Sequence, residues 1–183
     1  MIITQATRAD AEGVRALLKA NHVNYIAEED KKDGFVTTNL TDEQLEALIV
    51  KENGVTIAKD DNGNVVAFAL AASWEFWAEW PLFAYMIEKL PEFTCNGETL
   101  TTENSYQYGP VCIDKSVRGT GVFEKVFFAS LSNYAGRYPY MATFINQIND
   151  RSFAAHTRKA EMAKAGTFQF NGNNYYMMVC ETR

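Results

Sequence analysis

Hydrophobic and polar positions follow several periods along the chain, and each change of period marks an element. Ile2, Ile3 and Ala6 fit a short first strand. Ala11, Val14, Leu17 and Leu18 then recur at helical spacing, with Glu12, Arg15 and Lys19 on the polar face and Thr7 or Asp10 as start signals. The run 28–34, Glu-Glu-Asp-Lys-Lys-Asp-Gly, predicts a solvated connecting loop. Thr41-Asp42-Glu43-Gln44 has the order of a capping box, in which a hydroxyl at the cap and an amide three residues on satisfy exposed backbone N–H groups reciprocally. Leu45, Leu48 and Ile49 form the apolar face behind it.

Runs 55–59 and 65–73 read as strands joined through Asp61-Asn62-Gly63, because Asn-Gly tolerates positive φ at both central positions of a tight turn. The second run is almost wholly apolar and suits a central strand. From 74 to 104 the pattern breaks. Trp74, Trp77 and Trp80 sit three apart with Phe76, Phe83 and Tyr85 among them, and Pro81 interrupts. Tyr85, Met86, Ile87 and Leu90 read as a short helix ending before Pro91. An aromatic stretch of this kind packs as core or internal cover, or else forms an acceptor-pocket wall or a dimer surface.

Residues 106–114 read as another strand, followed by a loop over 115–121. Val122, Val126, Ala129 and Ser130 alternate with Phe123, Phe127, Leu131 and Tyr134, giving a broad apolar helical face that ends at Gly136. A strand over 141–148 and a helix over 151–159, capped by Asn149 or Asp150, come next. Runs 166–170 and 175–180 flank Asn171-Gly172 as a second hairpin. The order β-α-α-β-β-(insertion)-β-α-β-α-β-β predicts an α/β fold, mixed α+β in detail, around one sheet with helices on both faces. It reads as a single domain over 1–183 with an aromatic-rich insertion at about 74–104.

Composition narrows the function classes. The chain is 47% hydrophobic and 22% charged, an ordinary globular balance. Seventeen basic against twenty-three acidic residues give a net charge of −6. That argues against a non-specific nucleic-acid binder, which needs a basic stripe to displace counterions from phosphate, and is compatible with a cationic small substrate. Cys95, Cys112 and Cys180 are odd in number and lack Cys-x-x-Cys spacing, so neither a disulfide framework nor a zinc site is expected, and no metal. No basic segment followed by an apolar stretch opens the sequence, and the longest apolar run, 65–72, is far short of the ~20 residues a membrane span needs. The expectation is a cytoplasmic protein with no membrane and no nucleic-acid partner.

The most informative segment is Ile113-Asp114-Lys115-Ser116-Val117-Arg118-Gly119-Thr120-Gly121-Val122-Phe123, which sets two glycines between a strand and a helix. Glycine lets backbone N–H groups approach a ligand closely, and a helix start offers unpaired N–H groups and a positive dipole end to a phosphate. Arg118 can add charge-assisted hydrogen bonds to the same anion. The alternative is a plain tight turn. A Gly-x4-Gly-Lys-Ser/Thr loop is absent, and so is the third glycine of a dinucleotide fingerprint.

Arg118-Gly119-Thr120-Gly121, at a strand exit and before an amphipathic helix, resembles the acetyl-CoA loop of the GNAT acyl-CoA N-acyltransferase superfamily, Gln/Arg-x-x-Gly-x-Gly/Ala. The element order is similar over nearly the whole chain. Asn149-Asp150-Arg151-Ser152 with His156 resembles the second CoA-facing motif, an Asn at a strand end and an aromatic residue seven positions on. Two positions depart from the pattern: Phe123 stands where Gly or Ala is usual, and Ala160-Glu161-Met162 replaces a Gly-Phe pair.

The resemblance implies a sheet splayed between its fourth and fifth strands, with acetyl-CoA as co-substrate in the gap. Backbone groups of Val111, Cys112 and Ile113 would pair with the pantetheine amides. The diphosphate would rest on N–H groups of Arg118, Gly119, Thr120, Gly121, Val122 and Phe123, and Asn149 would bond the pantetheine arm. The activity implied is acetyl transfer to the amine of a small molecule or peptide by direct attack on the thioester. The rival is a non-catalytic CoA-binding sensor or interaction module on the same fold. His156 stands where the family often has a Tyr acid, and is either a general acid toward the leaving thiolate or a residue that orients CoA or packs. Ser152, one turn earlier, can bond His156 or the cofactor.

Candidate bases are Glu75, Glu79 and Asp114, each more readily read as a solvated carboxylate, and a water chain can replace them. Tyr106 and Tyr108 share one strand face and either line the acceptor pocket or pack as core. Cys112 reads as a buried structural thiol rather than a nucleophile, and His22 as a capping or surface residue. The aromatic insertion, by its placement, is expected to shape acceptor choice. A homodimer is compatible with the resemblance, though no stretch of sequence marks one.

Overall fold

Polar caps and turn residues set most element boundaries in the computed structural model, which describes all 183 residues, Met1–Arg183. Nine strands form, and seven of them hydrogen-bond in the order β1-β2-β3-β6-β7-β9-β8, with β4 and β5 as a separate hairpin. The chain divides into two units, Met1–Ala71 with Gly109–Asn133 and Ala72–Tyr108 with Tyr134–Arg183. Strand β6 (Ser105–Ile113) passes from the second to the first at Tyr108 and Gly109. No helix is long and apolar enough to cross a membrane.

In the first unit, β1 (Ile2–Gln5) pairs antiparallel with β2 (Val55–Lys59), and β2 with β3 (Val65–Ala72). Helices α1 (Ala11–Ala20) and α2 (Asp42–Val50) bury Val14, Leu17, Leu18, Leu45, Leu48 and Ile49, the residues their periodicity marks. The α2 capping box is formed: the Thr41 hydroxyl accepts from the Gln44 N–H at 3.1 Å, and Gln44 Oε1 accepts from the Thr41 N–H at 2.9 Å. Thr41→Ala is expected to lower stability by about 1 kcal/mol, read as a lower urea midpoint at unchanged slope.

Three expectations change here. The charged run forms a 3₁₀ helix, Glu28–Asp33, rather than a loop. Gly34 at φ 95° closes it, and Lys31 pairs with Glu28 at 2.5 Å along its side. Between β2 and β3 only Gly63 takes positive φ, because the Asp60 carboxylate accepts from the N–H groups of Asn62 and Asn64 and stabilises a wider loop than the two-residue turn. His22 is buried rather than superficial: it bridges to Val36, and its Nδ1 accepts from the Asn24 N–H at 3.3 Å.

In the second unit, the alternation of β-strands sorts aromatic residues onto two faces. On one lie α3 (Trp74–Trp77) and α4 (Pro81–Lys89). The Trp74 indole donates to Ser105 Oγ at 3.0 Å, the Trp77 indole to the Gln107 carbonyl at 3.3 Å, and Phe83 meets Phe144 at 5.6 Å. On the other, Tyr106 stacks on Tyr134 of α5 (Val122–Tyr134) at 4.4 Å, and Phe153 of α6 (Asp150–Arg158) meets Tyr176 at 4.6 Å.

Strand β7 (Tyr140–Asn146) ends before the expected boundary at 148. It is antiparallel to β9 (Asn173–Glu181), which is antiparallel to β8 (Ala163–Phe170). The turn Asn171-Gly172 takes φ of 53° and 79°, the doubly positive turn its sequence predicts. Within the insertion, β4 (Thr94–Cys95) and β5 (Glu98–Thr99) close on Asn96 and Gly97 at φ 50° and 83°, a hairpin of the same signature that the sequence reading passes over.

Candidate functional site

The first group of residues with chemistry lies in the first unit, where β6 ends. Asp114 caps a 3₁₀ turn, Lys115–Val117, its Oδ1 accepting from the Ser116 N–H at 2.9 Å and the Ser116 hydroxyl at 2.6 Å. Those hydrogen bonds hold its carboxyl below the usual range and commit Asp114 to the turn. Lys115 pairs with Asp30 of the acidic 3₁₀ helix. Arg118 turns back so that its Nε donates to the Ile113 carbonyl at 3.2 Å, which fixes the start of the glycine loop and occupies the carbonyl expected to meet pantetheine. Val111 and Ile113 are half-buried and Cys112 is buried. Burial pushes the Cys112 thiol well up despite nearby Arg118, so it is a structural thiol with no thiolate to offer.

Gly119 and Gly121 both take positive φ, 77° and 80°, and a Cβ at either would meet nothing within 4 Å. The backbone there is exposed to whatever lies against it. Thr120, between them, donates its hydroxyl to the Val117 carbonyl at 2.6 Å and holds the curve of the loop. Val122 and Phe123 open α5, whose first N–H groups have no partner within the helix. The Phe123 ring lies 6.0 Å from that of Phe127, one turn along the same helix. A phosphate fits this loop: open backbone, two positive-φ glycines and a helix start. No group of three or more His, Cys, Asp or Glu is arranged to hold a metal ion.

The second group lies in the second unit, where the parallel β6–β7 ladder stops after three pairs, the last being Gln107 and Ala142. Beyond it the Tyr108 carbonyl accepts from the Thr143 hydroxyl at 2.6 Å and from Gln107 Nε2. Tyr108 is fully buried, which pushes its phenol up, and its ring stands edge-on to His156 at 5.9 Å. Asn149 caps α6, its Oδ1 accepting from the Ser152 N–H at 3.0 Å. Ser152 in turn holds His156: its carbonyl lies 2.8 Å from Nδ1 and its hydroxyl 3.3 Å away. A carbonyl only accepts, so Nδ1 carries the proton and the basic nitrogen of the neutral ring is Nε2.

His156 is 6% exposed, and burial lowers its pKa below the usual 6.5 although the Ser152 carbonyl opposes the shift. The ring is therefore neutral at pH 7 and ready to take a proton. Of the two readings offered for His156, a general acid would need a proton at Nε2 that the neutral ring does not carry. Tyr108, Ser152, Asn149 and His156 come together as the sequence suggests. Glu75 does not join them: Trp74 and Trp77 take the buried face of α3 and leave Glu75, like Glu79, exposed. Tyr106 is core against Tyr134. Trp74 and Trp77 are core as well, which leaves half-buried Phe76 and Trp80 as the parts of the insertion able to meet a ligand. Gln107, fully buried, is the residue the sequence reading missed. Its signal is an amide in a strand otherwise read as aromatic and apolar, one position from Tyr106 and Tyr108 on either side.

The fold is that of the GNAT N-acetyltransferases. Among solved structures the chain is similar to ribosomal-protein-alanine N-acetyltransferase of Brucella melitensis, at 17% identity, TM-score 0.64, covering 99% of each chain. A GNAT-family acetyltransferase of Streptococcus pneumoniae matches at 12% identity and TM-score 0.65, covering 98% of each. The yncA protein of Salmonella typhimurium, solved with its cofactor acetyl-CoA, matches at 14% identity and TM-score 0.63, over 100% of this chain and 94% of that one. No protein-family model and no curated protein matches the sequence.

Proposed function

We propose that this chain is an acetyl-CoA-dependent N-acetyltransferase acting on the amine of a small molecule or peptide. The observation that carries the reading is the glycine loop, with Gly119 and Gly121 at positive φ, open space before them, and α5 starting directly behind. That loop sits in a fold whose solved relatives include one holding acetyl-CoA. Val122, Phe123 and the two glycines bring N–H groups to a diphosphate, and the Arg118 guanidinium, tied by Nε, has its terminal nitrogens left for charge.

Acetyl-CoA, when bound, supplies the acyl group as a thioester. An acceptor ammonium has no lone pair, and a lysine-like amine has a pKa of about 10.4, so a proton must leave before or during attack. That first proton leaves to solvent, and as the N–C bond forms Nε2 of neutral His156, held in place by the Ser152 carbonyl at Nδ1, takes the second. The imidazolium then returns a proton to the departing thiolate, so one residue serves both halves of the reaction.

Gly121→Arg tests the reading. A long cationic side chain forced into positive φ strains the loop and blocks the diphosphate, so calorimetry should show micromolar acetyl-CoA binding in wild type and a loss of ~100-fold or more in the variant. No binding by wild type overturns the proposal. Binding without thiol release on any amine would make this a CoA-binding module instead.

A further inference from the structure

The aromatic insertion carries nearly all of the net charge of the chain. Residues 74–104 hold six glutamates against one lysine, a net of −5 out of −6, while the rest is nearly balanced at sixteen basic and seventeen acidic residues. All six glutamates are exposed, and the lysine, Lys89, pairs with Glu92 at 2.8 Å. Apolar surface lies among them. Trp74 and Trp77 take the inner side of α3, so its outer side and the start of α4 present Glu75, Phe76, Ala78, Glu79, Trp80 and Pro81. The rings of Phe76 and Trp80 are half-buried and lie 5.5 Å apart. Each also meets wholly buried Trp77, at 4.9 and 5.1 Å, whose indole is tied to the Gln107 carbonyl. An aromatic pair seated on the core in this way is held rigid, and it loses little freedom when a partner lies on it.

We propose that the outer side of the insertion is a docking surface for a basic polypeptide segment that carries apolar side chains. Those side chains cover the rings of Phe76 and Trp80, and the carboxylates around the rings draw in and orient the basic groups. Charge selects the occupant. A second copy would set the same carboxylates against one another, since a twofold interface joins a patch to itself. Nucleic acid and an anionic lipid surface are repelled for the same reason. A polyamine satisfies the charge but leaves the rings in water. The inference uses neither the glycine loop nor His156, so its failure leaves the acetyltransferase reading as it stands.

The test titrates the full chain into a labelled short peptide of lysine, leucine and glycine, read by fluorescence anisotropy. Wild type should bind it with a Kd on the order of 10 μM, weakening ~10-fold between about 50 and about 300 mM salt. Serine in place of leucine in the peptide should cost ~10-fold or more, and glutamate in place of lysine should abolish binding. Trp80→Ala should weaken binding ~10-fold or more, as expected of a ring at the centre of an interface. Glu75→Lys combined with Glu79→Lys should do the same, and because both side chains are exposed it guards against misfolding of the first variant. Glu12→Lys combined with Glu43→Lys, at exposed positions of α1 and α2, changes the net charge equally and should stay within about twofold of wild type. An equal loss in that control overturns the docking surface, because net charge alone would then explain the binding. So does a serine peptide or spermine that binds as tightly as the leucine peptide, and so does a wild type that binds none of them.

Discussion

His156→Gln is expected to lower kcat by roughly 10²–10⁴-fold while leaving acetyl-CoA affinity within about twofold. The loss follows from the position of the proton. Nδ1–H is committed to the Ser152 carbonyl at 2.8 Å, and burial holds the ring neutral, so Nε2 is a ready proton acceptor that glutamine cannot replace. The pH profile separates this role from its opposite. A base works in its deprotonated form, so kcat/KM should be flat near neutrality and fall on the acid side, below the ordinary histidine pKa. An acid from the outset would lose activity as pH rises through the same region, and that profile would sink the assignment. Stability carries the same sign. The folded pKa is lowered, so the unfolded chain takes up the proton first as pH falls, and the contribution of neutral His156 is complete above about 6.5 and fades below it. Denaturant midpoints of wild type and His156→Gln measured from pH 8 to pH 5 should diverge in slope over the acid half of that range.

Trp77→Ala is expected to cost about 3–5 kcal/mol in stability, a fall in Tm on the order of 10 °C. The indole is wholly buried, its ring lies 4.7 Å from Phe83, 4.9 Å from Phe76 and 5.1 Å from Trp80, and its N–H serves the Gln107 carbonyl. Removing it opens a cavity, strips an aromatic cluster of its centre and leaves a buried carbonyl without its donor. Trp80→Ala, at a half-buried ring on the edge of that cluster, should cost far less and is the cleaner probe of acceptor choice. Thermal melts of the two variants side by side check the contrast. Equal destabilisation would mean that Trp80 is as much core as Trp77.

Local signals carried much of the architecture. The capping box at Thr41 and the Asn171-Gly172 turn formed as their residues dictate, because both depend on neighbours in sequence. The glycine loop was legible for the same reason. Asn62-Gly63 shows where such reasoning stops: Asp60 competes for the backbone N–H groups of the turn and wins, so the same dipeptide yields a different loop. Asn96-Gly97 was readable and was masked by the aromatic density around it. What could not be read was protonation and enclosure. His156 is neutral because tertiary packing buries it, and Glu75 is left exposed because two tryptophans claim the inner face of a single helical turn.

Asn149 and His156 stand two helical turns apart, yet a single residue, Ser152, holds them in series. The Asn149 carboxamide secures the N–H of Ser152, and the carbonyl of Ser152 aims the imidazole. The start of α6 therefore also aims the imidazole. A variant that frays this end would show slow chemistry as well as the modest loss of stability that goes with a lost cap. Natural substitutions at Asn149 should accordingly be restricted to residues that can still start a helix, whatever the acceptor has become.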